Sequence, residues 1–434
     1  MPIRLDIRDR DFESTFAAML DARRDQAEDV DKAVAAILDD VRARGDDAVL
    51  EYTRRFDDPS VELRQLRLSK PEIAAAWADC GPTTLAALDL AAARIRAFHE
   101  RQRPTDLDMV DPEGLRLGWR WSAIEAVGLY VPGGTAAYPS SVLMNAVPAK
   151  VAGCRRLVMV VPAPKGQISP LVLAAARVAQ VDEVWRIGGA QAIGALAYGT
   201  QQIAPVHKIV GPGNAYVAAA KRRVFGRVGI DMIAGPSEVL IVADAQTDPS
   251  WIAMDLLAQA EHDAAAQSIL VTDDDAFADA VERAVETHLA TLPRRAIAEA
   301  SWRNNGCIVT VETIDQAPML VDRIAPEHLQ LALENSEGLL ANIRNAGSIF
   351  LGRFTPEALG DYVAGPNHVL PTSRSARFSS GLGVLDFMKR STFLGCDAGG
   401  LARLGPPTVA LAEAEGLDAH ARSVSIRMNT LRGG

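Results

Sequence analysis

The chain has 434 residues, ample for two or more domains with their own cores. Its 48% hydrophobic and 23% charged residues exclude a disordered chain, and a net charge of −10 with scattered Lys and Arg argues against a nucleic-acid surface. No uncharged apolar run approaches the ~20 residues that span a bilayer, and Met1-Pro2-Ile3-Arg4-Leu5-Asp6 lacks the apolar core of a secretory signal.

Asp31 is expected to cap a helix with an apolar stripe of Val34, Ile37, Leu38 and Val41, stopped by Gly45. A second helix runs from near Pro82 to about His99. The period then changes: Leu115, Leu117, Trp119 and Trp121 alternate with Arg116, Gly118 and Arg120, as in a half-buried strand. Further on, strands are expected at 157–161, 184–187, 208–210, 239–243, 268–272, 307–311 and 348–351, with helices between them. Ser169-Pro170 opens one of those helices, through Gln180. Gly188-Gly189 and Gly211-Pro212-Gly213-Asn214 each end a strand and open a helix, and Lys221-Arg222-Arg223 reads as an exposed helix face. This βαβ rhythm implies α/β architecture, with largely parallel sheets covered by helices on both faces. Breaks between domains are placed at Val131-Pro132-Gly133-Gly134 and at the 235–238 turn. Cys80, Cys154, Cys307 and Cys396 form no CxxC pair and read as reduced thiols, several of them buried, which suits a cytoplasmic location.

Ligands in open α/β sheets sit beyond the carboxyl ends of strands, where Gly188-Gly189 and Gly211-Pro212-Gly213 stand. Such loops let backbone N–H groups approach a phosphate, or they are tight turns with no ligand; neither matches G-x-G-x-x-G. Gln259 and His262, three apart near the end of a helix that begins after Asp248-Pro249, are either a polar helix end or a pair of metal ligands. Pro326-Glu327-His328 is read as a helix first turn. There the dipole would keep His328 neutral and fit to be a general base, unless the turn is simply exposed. Gly416 suits a helix end and Asp418 a helix cap, while Asp361, His368, Glu415 and His420 say little alone. Val424, Ile426 and Met428 alternate as in a strand.

Taken in order, these segments resemble histidinol dehydrogenase. The resemblance rests on Gly128-Leu129-Tyr130-Val131-Pro132-Gly133-Gly134, Gly188-Gly189-Ala190-Gln191-Ala192, Gly211-Pro212-Gly213-Asn214 and Ala234-Gly235-Pro236-Ser237-Glu238. It continues through Gln259-Ala260-Glu261-His262, Pro326-Glu327-His328, Asn367-His368-Val369-Leu370-Pro371-Thr372 and the Glu415/His420 pair. The family implies oxidation of L-histidinol through L-histidinal to L-histidine with two NAD+, in the last steps of histidine biosynthesis. It implies Gln259, His262, Asp361 and His420 as zinc ligands, one zinc per subunit, with manganese as the alternative. Glu327 and His328 become the catalytic pair, and Tyr130, Gln191 and Asn214 the NAD contacts. Ser237, Gln259, His262, His328, Asp361, Glu415 and His420 become the substrate contacts.

The fold implied is two incomplete Rossmann-like domains with parallel-type sheets and small helical terminal extensions. The boundaries are 1–25 for the amino-terminal extension, 26–128 with 239–381 for the first domain, 129–238 for the second and 382–434 for a dimerisation segment. A homodimer is implied, with Glu415 and His420 acting across the interface. The nearest rival is a zinc/NAD dehydrogenase of another polar alcohol, such as a sulfonated propanediol. A non-catalytic nucleotide- or metal-binding regulator would need neither Glu327 nor His328, and a metallohydrolase would need no NAD loops.

Overall fold

Strands and helices alternate through most of the computed structural model, which describes residues 2–21, 28–133 and 138–431. Gly134 and part of the expected amino-terminal extension lie outside them. The first strands are β1 (Ile3–Asp6), β2 (Leu107–Val110), β3 (Arg116–Ala123), β4 (Ala126–Tyr130) and β5 (Arg156–Val160). Then come β6 (Glu183–Trp185), β7 (Lys208–Val210), β8 (Gly229–Ile230), β9 (Glu238–Ala243) and β10 (Gln267–Thr272). The last are β11 (Cys307–Thr310), β12 (His328–Ala332), β13 (Ser348–Leu351) and β14 (Met388–Gly395).

One sheet has six strands in the order β1-β11-β10-β9-β12-β13, and a second has five in the order β6-β5-β4-β7-β8. Every neighbour in both is parallel, as the βαβ rhythm predicts. Side chains of β9 alternate between two cores: Leu240 and Val242 pack under helices Phe12–Asp21 and Ala317–Ile324, Val239 and Ile241 under Pro249–Ala260 and Asp275–Leu289. β4 does the same in the other sheet, with Val127 and Leu129 on one face and Ala126 and Tyr130 on the other. Both sheets are therefore covered twice, which is why their strands read as unbroken apolar runs.

The Trp-rich alternation became β3, central in an antiparallel β14-β3-β2 sheet, where the Arg390 guanidinium lies 5.4 Å from the centroid of Trp119. No described helix is long and apolar enough to cross a membrane. All four cysteines are free; Cys154 and Cys307 are buried and Cys396 is exposed.

Four local expectations are corrected. Asp31 lies inside helix Glu28–Arg44, not at its cap, and pairs with Arg223 at 2.5 Å. Lys221 is not on an exposed face; it is buried against Asp231, while Arg222 and Arg223 are exposed. Pro326 does not open a helix: Ala317–Ile324 ends on Ala325 in the left-handed region (φ 50), Pro326 follows that stop, and His328 begins β12. The tail is the helix Asp418–Leu431 rather than a strand. Met428 packs near Gly405 of helix Ala398–Ala414, whereas Ile426 faces outward, so the alternation concealed an i, i+4 face.

Candidate active site

The loops after β4, β5, β6 and β7 wall a groove of about 710 Å3, and Tyr130, Gln191 and Asn214 all line it. Each is fixed locally. Asn214 caps helix Ala215–Val224 by accepting the Val217 N–H at 3.1 Å. The Gly189 N–H donates to the Tyr130 hydroxyl at 3.1 Å, and burial pushes that hydroxyl's pKa up to about 12, so it stays protonated. Gln191 is buried in the first turn of helix Gly189–Tyr198.

A second cavity, of about 260 Å3, adjoins the groove and shares Pro132 with it. It is lined by Ser237, Gln259, His262, Glu327, His328 and Asp361, six of the predicted residues drawn from four separate segments. It lies beside the carboxyl end of β7, through Gly211, and the amino ends of β9 and β12. The expectation that ligands sit beyond carboxyl ends thus holds for the five-stranded sheet, while the six-stranded sheet offers its amino edge.

His328 is buried, and its Nδ1 lies 3.0 Å from the Glu238 carbonyl oxygen. A carbonyl can only accept, so Nδ1 carries the proton and Nε2 keeps its lone pair. That Nε2 has no partner among the described residues. Burial, opposed by the charge of Asp361, lowers the His328 pKa to about 4. The imidazole is therefore neutral, as expected, but because of desolvation and not a helix dipole. Glu327 is fully enclosed, and burial raises its pKa well above the usual carboxylate range despite hydrogen bonds from the Glu238 N–H (2.9 Å) and Ser237.

Gln259 sits in the last turn of helix Pro249–Ala260; His262 lies just past the helix end, in a turn closed by its N–H on the Gln259 carbonyl at 3.2 Å. Gln259 is 1% exposed, yet neither amide atom has a partner among the described residues. A buried amide with both ends unsatisfied costs a few kcal/mol, and a cation bound through its oxygen would account for that end. Gln259, His262 and Asp361 offer amide oxygen, imidazole and carboxylate, a donor set that suits zinc or manganese.

Sequence reasoning missed Glu357 and gave His368 no role of its own. Glu357 stands one helical turn before Asp361 in Glu357–Tyr362, a spacing that could have been noticed. His328, Glu357 and Asp361 bring one donor atom each within 4.8 Å of one another. Asp361 belongs to both sets, and we favour the one containing Gln259, because it gives the orphaned amide oxygen a partner and leaves Nε2 of His328 free. His368 Nδ1 lies 3.6 Å from Asp361 Oδ1, and its hydrogen bond and charge keep the Asp361 pKa low against the upward effect of burial. The Asn367–Thr372 motif has a structural task as well. Asn367 donates to the Met144 carbonyl at 2.6 Å and Thr372 accepts the Gly235 N–H at 2.6 Å, so the segment joins helix Pro139–Ala152 to the turn before β9.

Glu415 and His420 are not brought into the cavity of the single chain. They lie exposed at the junction of helices Ala398–Ala414 and Asp418–Leu431, which Gly416 turns at φ 70.

Residues 20–428 match the family model for histidinol dehydrogenase. A histidinol dehydrogenase of Rhodospirillum rubrum is 64% identical over 430 residues, covering 99% of each chain, and one of Ruegeria pomeroyi is 61% identical over 100% of both. The crystal structure of histidinol dehydrogenase from Elizabethkingia anophelis superposes with a TM-score of 0.94 at 37% identity, covering 100% of this chain and 99% of that one. With this match running the length of the chain and the cavity walled by the predicted residues, the chain belongs to the histidinol dehydrogenase family of NAD-dependent oxidoreductases.

Proposed function

We propose that the chain oxidises L-histidinol to L-histidine through L-histidinal, using two NAD+ and a bound zinc, or manganese in its place. The observation that carries this reading is the enclosed Glu327/His328 pair beside the unsatisfied Gln259, in a cavity that adjoins a nucleotide-sized groove.

Gln259, His262 and Asp361 would hold the metal, which binds and orients the substrate's nitrogen atoms. Tyr130, Gln191 and Asn214 would hold NAD+, which accepts hydride from the carbinol carbon. His328 Nε2 takes the hydroxyl proton as that hydride leaves, and Nδ1–H on the Glu238 carbonyl keeps the ring in the right tautomer. Glu327 then takes a proton from the water that adds to the aldehyde; its raised pKa makes the ionised carboxylate a strong base. Once His328 has returned its first proton to water, it accepts the remaining hydroxyl proton of the hydrate anion as the second hydride leaves to the second NAD+, giving the carboxylate product. Ser237, which donates to Glu327 and lines the cavity, would also contact substrate.

Exposed in the single chain, Glu415 and His420 complete this site from a second copy in a homodimer, with His420 as the remaining metal ligand. The same reading keeps the domain division at 26–128 with 239–381 and at 129–238. β4–β8 fall at 126–230 and β9–β13 at 238–351, but helices Glu28–Arg44, Asp46–Phe56 and Pro82–Glu100 pack in the cores of the five-stranded sheet, and β1 joins the larger sheet from within the amino-terminal extension. It also places the enzyme in the cytoplasm.

Purified protein stripped by a chelator and reloaded with zinc or manganese tests the assignment. NADH formation should be lost on stripping, return with metal, and require L-histidinol. Turnover of a sulfonated propanediol but not of L-histidinol would overturn the substrate.

A further inference from the structure

Between the cavity and the groove runs the loop Gly211-Pro212-Gly213-Asn214. Gly211 and Pro212 line the cavity, Gly213 and Asn214 the groove. Whatever fixes this loop fixes the offset between the two. Gly211 is held from both sides by one buried ion pair. The Lys221 ammonium donates to the Gly211 carbonyl at 3.0 Å and is paired with Asp231, whose other oxygen accepts the Gly211 N–H at 2.7 Å. The two side chains are 3% and 1% exposed.

A pair so deeply buried is no evidence of stabilisation, because desolvating both charges cancels most of their attraction. What it supplies is geometry. Lys221 comes from helix Ala215–Val224, which Asn214 caps, and Asp231 follows β8, so loop, helix and sheet edge are closed into one ring. The glycine is obligatory there: at φ 110, a Cβ on Gly211 would stand 2.1 Å from the carbonyl oxygen of Tyr130, itself a wall of the groove. The loop is thus pressed onto the end of β4 and bolted by the pair.

We propose that Lys221 and Asp231 are positioning residues for hydride transfer: through Gly211 they set the alignment of the nicotinamide against the carbinol carbon. This rests on the reading of cavity and groove as substrate and NAD sites. Among the described residues their side-chain hydrogen bonds go to Gly211 and to one another, so although both border the cavity, their polar groups are engaged in holding the loop. A displacement of about 1 Å at a reacting centre costs about a hundredfold in rate.

The test is the double variant Lys221→Met/Asp231→Asn, which removes both charges together and leaves no lone buried ion. With metal-loaded enzyme, we expect kcat to fall at least tenfold while the calorimetric Kd for NADH changes less than threefold. We also expect the isotope effect on kcat with carbinol-deuterated L-histidinol to rise, as hydride transfer becomes limiting. Folded double variant with kcat within twofold of the parent and an unchanged isotope effect overturns the proposal, even if its melting temperature is lower. If the double variant does not fold, Lys221→Arg, which keeps the pair of charges and leaves no lone buried ion but changes the reach to the Gly211 carbonyl, is held to the same criteria. Failure of the parent enzyme itself to bind NADH or oxidise L-histidinol would instead refute the functional reading beneath.

Discussion

Replacing His328 by Asn removes one lone pair and little else. The shorter amide keeps an N–H for the Glu238 carbonyl, which Nδ1 now meets at 3.0 Å, while the unpartnered Nε2 disappears. Loss of a general base lowers turnover by about 10²–10⁴-fold, and binding of metal and NADH should persist. The same substitution has a signature in stability. In the folded chain the His328 pKa is lowered from 6.5 to about 4, chiefly by burial, a difference worth about 3 kcal/mol. Below about pH 6.5 the unfolded chain takes up a proton that the folded chain refuses until about pH 4, so stability falls with pH across that window. Metal-free His328→Asn lacks this component, and its acid loss should be smaller by up to ~3 kcal/mol. Glu327 and Glu357, with raised pKa values, act in the opposite direction in both proteins and largely cancel in the comparison. Initial rates of NADH formation, and urea titrations at about pH 7 and about pH 4.5, measure the two effects. Turnover within threefold of the parent, or an identical acid loss, would refute the assignment of His328 as a buried neutral base.

Gln259→Leu replaces a buried unsatisfied amide by an apolar group of similar size, so metal-free protein should be as stable as the parent or about 1 kcal/mol more so. Metal analysis after dialysis should show the ion lost; a variant that retains it would remove Gln259 from the metal site. Gly211→Ala forces a side chain at φ 110 against Tyr130, and a loss of about 3 kcal/mol or more is expected in urea unfolding. Mixing inactive His328→Asn chains with inactive His420→Asn chains should restore activity, since a mixed dimer can assemble one intact site if His420 acts from the second copy. No recovery in verified mixed dimers would place His420 elsewhere.

Periodicity revealed most of the parallel strands because each is buried on both faces and reads as an apolar run. β1 escaped because Ile3-Arg4-Leu5-Asp6 is a short edge strand with charged alternate positions, and β12 because a proline two residues earlier looked like a helix start. The tail misled through an i, i+4 face that mimics alternation. At the site, local pattern alone left Gln259, His262 and His328 ambiguous. Their partners, Asp361 and the Glu238 carbonyl, are about a hundred residues away in sequence and meet them only through the sheet. Resemblance supplied those partners, but neither it nor the pattern indicated the physical cause of His328's neutrality. That cause is enclosure, which becomes visible only when the strands are packed. Lys221 was misread for the same reason: a basic triplet on a helix says nothing about which member turns inward to Asp231.

The proposed reaction is two successive oxidations in one cavity. Counting NADH formed per limiting L-histidinol, while assaying free L-histidinal, tests it most directly. Two NADH per L-histidinol, L-histidine as product and no accumulation of the aldehyde are expected. One NADH per substrate with L-histidinal released would contradict it.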